Sequence, residues 1–144
     1  MESIARRAPA MLLVAIVAAT LTTAYIHYTL GGLLFLLNAL GYVGLATLLV
    51  TPLGFLRRLR PLVLVALAGY TVATIVGWAI VGPYFTLAYI TKAVEVGLLV
   101  LIGIELYRTR ADMVPALRFA RTLVNDVVGI VLRRPAPLPA DSDA

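Results

Sequence analysis

Lys92 and Glu95 have more chemistry open to them than any other residues of this sequence, because of where they stand. They lie three apart in FTLAYITKAVEVGLLVLIGIEL, residues 85–106, an otherwise apolar stretch long enough to cross a bilayer as one helix. Residues three apart are neighbours on one helix face, so the ammonium and the carboxylate meet. At bilayer depth such charges are expensive unless they face protein, water or each other. Two chemistries follow from that. Either the two form an ion pair that lowers the cost of insertion and fixes the rotation of their helix, or Glu95 binds a proton or a cation beside Lys92.

Other polar residues fall within reach of the pair. Counted from Pro83, Lys92 lies about 14 Å into the span and Glu95 one turn deeper. Asn38 and Tyr42 descend a neighbouring span from the same side, and Tyr70 stands at the middle of a third. Lys92, Glu95, Asn38, Tyr42 and Tyr70 are therefore the candidate intramembrane polar site. Asn38 also suits a helix-bridging hydrogen bond. His27, Tyr28, Trp78 and Tyr84 are predicted to ring the outer interface, where amphipathic rings gather. At the opposite end of its span Glu105 precedes Arg108 by three, the spacing of an interfacial salt bridge.

The remaining chain reads as the enclosure of that site. Of its 144 residues, 62% are hydrophobic and 13% charged, against about a quarter charged in a soluble domain. Four long apolar runs turn that deficit into a class: an all-α integral membrane protein, a bundle of four transmembrane helices. The spans fall at about 9–25, 28–50, 61–81 and 85–106, forming one domain over 1–110. Arg6 and Arg7 before the first run resemble the start of a secretory signal, but further spans follow directly, so that run reads as a retained first helix. Pro61 and the Gly82-Pro83 step mark a helix start and a turn.

Orientation comes from the arginines. All of them lie in the N-terminal segment, the loop between the second and third spans, or the segment after the fourth. The positive-inside rule then sets both termini in the cytoplasm of a cell (inner) membrane protein. With the basic residues so placed, the net charge of +5 is no nucleic-acid signature.

Residues 111–134 change pattern. Arg118, Arg121, Asn125, Asp126 and Arg133 share one helical face, and Leu117, Val124, Val127, Val128 and Val131 the other. This predicts a C-terminal amphipathic helix on the cytoplasmic side, with Arg118, Arg121, Arg133 and Arg134 near the anionic headgroups of the inner leaflet. Its apolar face suits a partner subunit as an alternative to lipid. Residues 135–144, rich in Pro, Ala and Asp, are expected to be disordered.

Association of such helices is guided by small residues that admit close backbone approach, and Gly69, Ala73 and Gly77 form a ridge of that kind. The partner of the ridge is either another helix of the bundle or a second protomer.

Function is less legible. The absence of cysteine excludes disulfides and thiolate chemistry, and one histidine is too few for bis-histidine haem ligation or a multi-histidine metal site. No metal or cofactor is expected, and the spans hold too few carboxylates to argue an enzyme. The reading that fits most features is a non-catalytic accessory or scaffold subunit of a larger membrane complex. Two alternatives stand beside it: a small oligomeric transporter or channel using the Lys92/Glu95 site, and a lipid- or quinone-binding module with His27 and the outer aromatics near a headgroup. The partners expected are the lipid bilayer and either a membrane-protein partner or further copies of this chain.

Overall fold

A computed structural model describes residues 2–82 and 84–132. The architecture is all-helical, and four of its helices are long and apolar enough to span a membrane. In chain order they are α1 (Glu2–Leu30), α2 (Leu33–Val50), α3 (Gly54–Val81) and α4 (Thr86–Arg108). A short 3-10 turn, Arg110–Asp112, leads into α5 (Met113–Leu132). The predicted contacts of Arg133 and Arg134, the disorder of 135–144 and the turn at Pro83 lie outside the described residues.

The helix boundaries correct the sequence reading in two places, each for a local reason. The first hairpin does not turn near residues 25–28. Helix α1 continues to Leu30, and the chain reverses at Gly31 and Gly32, whose φ angles are +73° and +85°. Glycine takes those angles without a Cβ penalty, so the break belongs at the Gly-Gly pair. His27 and Tyr28 therefore stand on α1.

Helix α3 also starts earlier than Pro61, at Gly54, and includes Arg57, Arg58 and Arg60. Leucine and arginine are good helix formers, so FLRRLR continues the helix. Proline at position 61 removes the bond to the Arg57 carbonyl and crowds that oxygen, and the helix runs on through it. The 28 residues of α3 extend about 42 Å, longer than the roughly 30 Å of a hydrocarbon core.

The four long helices form a ring. Each packs on its two neighbours, α1 on α2 and α4, and α3 on α2 and α4; among the described residues the diagonal pairs stay farther apart and meet only through side chains on the axis. The axis is filled by side chains from evenly stepped seams. In α4 the buried residues are Ala88, Thr91, Glu95, Leu98, Ile102 and Glu105, and in α2 Ala39, Tyr42, Ala46 and Leu49. Alternating steps of three and four are the spacing of helices crossing at a shallow left-handed angle. Glu95 is thus an inward seam position, fully buried, while Leu33, Leu40, Val96 and Val100 face outward.

The seam divides into two halves. Toward the end bearing Arg57 and Arg108 it is apolar but for Glu105 at its rim, with Ile16, Leu49, Leu64, Leu67, Leu98 and Ile102 in one cluster. Toward the end bearing the α1–α2 and α3–α4 turns it is polar. Helix α5 packs on α3, burying Ala116 and setting the Phe119 ring under the Arg58 guanidinium at 5.3 Å.

Candidate functional site

Each of the four long helices sends a polar side chain into the turn-end half of the axis. From α4, Lys92 Nζ donates to Glu95 Oε2 at 2.7 Å and to the Thr74 carbonyl of α3 at 3.3 Å. The Glu95 side chain is wholly buried and that of Lys92 is 12% exposed. From α2, the Tyr42 and Thr74 hydroxyls lie 2.9 Å apart, and Thr74 Oγ1 donates to the Thr71 carbonyl at 2.8 Å. A threonine hydroxyl has one proton to give, so Tyr42 is the donor to Thr74. From α3, Tyr70 donates to Asn38 Oδ1 at 3.2 Å. The five residues grouped by sequence as the polar site thus converge.

His27 departs from expectation. It is buried, 3% exposed, rather than on the outer rim, because α1 continues past it and turns it inward. Its ring lies 5.6 Å from the Tyr42 ring and 6.2 Å from that of Phe35. His27 Nδ1 is 2.9 Å from the Thr23 carbonyl. A carbonyl can only accept, so Nδ1 carries the proton and, in the neutral ring, Nε2 is an acceptor. Nε2 in turn stands 3.7 Å from Glu95 Oε1. That oxygen is buried with no hydrogen-bond partner among the described residues. Two acceptors facing each other repel unless a proton sits on one of them.

The other predicted rim residues divide. Tyr28 and Tyr84 are exposed, whereas Trp78 is half-buried and packs edge-on against Tyr84 and Tyr89 at 5.4 and 5.2 Å. Thr20 and Thr23 of α1 are fully buried as well. Thr20 bonds back to the Ile16 carbonyl, which satisfies its hydroxyl inside a helix.

Above the polar cluster lies a cavity of about 390 Å³. Its walls are mainly apolar and aromatic, with Phe35, Trp78, Phe85 and Ala88 among them, and His27, Asn38, Thr74 and Lys92 supply its polar groups. Among the described residues no carboxylate lines it. Leu34, Ala73, Gly77 and Val81 of its wall are exposed, so it opens sideways. Two members of the small-residue ridge therefore form a low cavity wall. Among the described residues no helix packs close against Gly69 or Gly77: a Cβ on either would meet nothing within 4 Å. The close approach occurs elsewhere, at Gly41, where a Cβ would collide with the Tyr70 ring.

Sequence reasoning missed the cavity walls. Phe35, Phe85 and Ala88 are ordinary apolar residues in apolar runs, and only the position of Phe35 and Ala88 one turn above Asn38 and Lys92 hints at a shared face, with Phe85 just ahead of α4.

At the other end Glu105 is 4% exposed, with its nearest oxygen 3.9 Å from Arg108 Nη1. That is an ion-pair separation, too long for a hydrogen bond. Among the described residues no group of three or more His, Cys, Asp or Glu is placed to hold a metal.

No family model, curated protein or solved structure matches the chain. The four-helix ring and its buried polar cluster are the ground for any statement about function.

Proposed function

We propose that this protein is a non-catalytic, multi-pass membrane protein that holds an amphipathic molecule, lipid-like or quinone-like, in the turn-end cavity. The observation that carries the reading is the shape and lining of that cavity. Its walls are apolar and aromatic, it opens sideways where acyl chains would lie, and it ends on a lysine and a histidine. Pockets of a few hundred cubic ångströms with few, convergent polar groups are the usual form of small-molecule sites. A molecule seated here would leave its tail toward Ala73 and Gly77 and direct its head at Lys92.

The arginine distribution supports an inner-membrane location with both termini cytoplasmic, which sets the cavity in the outer half of the bilayer. A transport path receives less support. Beyond Glu95 the axis is closed by Ile16, Leu64, Leu67, Leu98 and Ile102, leaving the cavity with one end. The accessory-subunit reading is favoured by a separate observation: Val124, Val127, Val128 and Val131 of α5 are exposed although α5 already rests on α3. That apolar face suits the inner leaflet or a partner. The two roles are compatible, since a subunit of a larger complex can carry the ligand.

The test is extraction of the full chain in mild detergent, followed by mass spectrometry of what co-purifies. One amphiphile per chain is expected, and Gly77→Leu, which places a side chain on the cavity wall, should lower its occupancy severalfold. An empty cavity in the native chain, or equal occupancy in Gly77→Leu, overturns the reading.

A further inference from the structure

The cavity and the His27–Glu95 contact share one boundary, and their charges cannot be considered apart. His27 lines the cavity; its Nδ1 is committed to the Thr23 carbonyl, and its Nε2 faces the unpartnered Glu95 Oε1 at 3.7 Å. Lys92 lines the same cavity, with Nζ using one donor on Glu95 Oε2 and one on the Thr74 carbonyl. An ammonium has three donors, so one is left for a ligand.

The groups that face this cluster are few. Helix α1 contributes His27, α2 Tyr42, α3 Tyr70 and α4 Lys92 with Glu95; α2 has no charged residue at all. Lys92 as a cation and Glu95 as an anion cancel. An anionic head brought onto Lys92 would then leave one uncompensated negative charge in a poorly hydrated interior, where that is costly. One proton taken up between Nε2 and Oε1 cancels it, and at the same time ends the repulsion of the two facing acceptors. Proton and anion therefore each lower the cost of binding the other.

We propose that the cavity takes the head of an anionic amphiphile on Lys92 together with one proton held between His27 Nε2 and Glu95 Oε1. The inference rests on the ligand-cavity reading above and names the chemistry of its ligand. Nothing is oxidised or reduced: the proton comes from solvent and returns there when the anion leaves. A neutral head, such as a quinone carbonyl or an alcohol, takes the same donor without a proton.

The experiment uses the full chain in nanodiscs with hexadecanesulfonate, whose head stays ionised across the pH range, and hexadecanol as its neutral counterpart. Trp78, the only tryptophan, lines the cavity and reports occupancy by fluorescence. Hexadecanesulfonate should bind about tenfold more tightly for each unit of pH lowered while the site is taking up its proton, and hexadecanol should bind equally at every pH. Glu95→Gln and His27→Phe should each flatten the sulfonate slope, and either serves if the other fails to fold.

A second reading needs no variant. His27 is the only histidine, so ¹⁵N-histidine labelling follows one ring, and its Nε2 signal should report proton uptake when sulfonate is added. If sulfonate affinity is flat with pH while hexadecanol still occupies the cavity, the proton linkage fails and the ligand-cavity reading stands. If neither binds, both fail.

Discussion

At one end of the bundle Arg57, Arg58 and Arg60 line a groove with Asp112, Ala116 and Phe119, and at the other a single lysine meets a cavity walled by aromatic rings. The arginine groove is the larger, about 540 Å³ against 390 Å³, and carries three times the cationic charge. Yet Arg57 and Arg58 are exposed, where solvent screens them, while Lys92 is nearly enclosed and its partner Glu95 wholly so. A charge in water needs no fixed partner; a charge in the bundle axis needs one within hydrogen-bond reach. The lesson is that surroundings, more than the number of charges, decide which end can discriminate among ligands.

The sharpest way to break that comparison is to remove one member of the enclosed pair. Glu95→Leu leaves Lys92 with only the Thr74 carbonyl, and stranding one charge of a buried pair costs about 3–5 kcal/mol. Reversible unfolding in mixed detergent should show a loss of that order. The double variant Lys92→Met/Glu95→Leu should recover most of it, since apolar residues often replace a buried pair without loss. If Glu95→Leu costs no more than removal of a groove arginine, the two ends are electrostatically alike and the contrast is wrong.

A smaller effect sharpens the same contrast through packing. Gly41 lies against Tyr70, whose hydroxyl holds Asn38, so the polar cluster depends on that close approach. Gly41→Ala should cost about 1–3 kcal/mol, the range for overfilling a packed site, in the same unfolding assay. Gly69, on the open ridge, should respond in the other direction. Alanine there meets nothing and gains up to about 1 kcal/mol of helix propensity. Equal signs for the two substitutions would mean that the polar cluster is loosely held.

These residues also show what the sequence discloses about such a protein. In a helix surrounded by lipid the hydrophobic pattern does not separate inside from outside, because leucine is as comfortable facing acyl chains as facing another helix. Helix α4 is apolar on nearly every side, and only Lys92 and Glu95 reveal which side turns inward. That is why Lys92, Glu95, Asn38, Tyr42 and Tyr70 could be grouped from sequence, while Phe35, Phe85 and Ala88 could not.

The place of His27 was legible in principle. The Gly31-Gly32 pair marks the turn, and reading the hairpin there rather than at residues 25–28 carries the histidine into the helix. The ridge is less legible for a different reason. Glycine spacing shows that close approach is allowed at Gly69 and Gly77, and nothing in it tells whether a neighbour arrives. Pro61 misled likewise: a proline tolerated at a helix start is also tolerated inside a helix long enough to spare one bond.

The smallest expected effect lies at the arginine end and tests what holds α5 in place. Arg58 stands over the Phe119 ring at 5.3 Å, and Ala116 is the buried residue of that contact. An exposed cation–π contact contributes about 0.5–1 kcal/mol. Arg58→Ala should therefore loosen α5 without unfolding the ring of four helices, which hydrogen exchange would register as faster exchange over Met113–Leu132 and unchanged exchange in α4. Arg58→Lys keeps the charge but loses the planar stacking, so it should fall between the two. Added salt should reduce the wild-type protection of α5 and leave the protection around Glu95 as it was, because screening reaches the exposed end and not the enclosed one. Should salt loosen both regions equally, the Lys92–Glu95 pair is in contact with water, and the dry polar axis on which the ligand reading stands is absent.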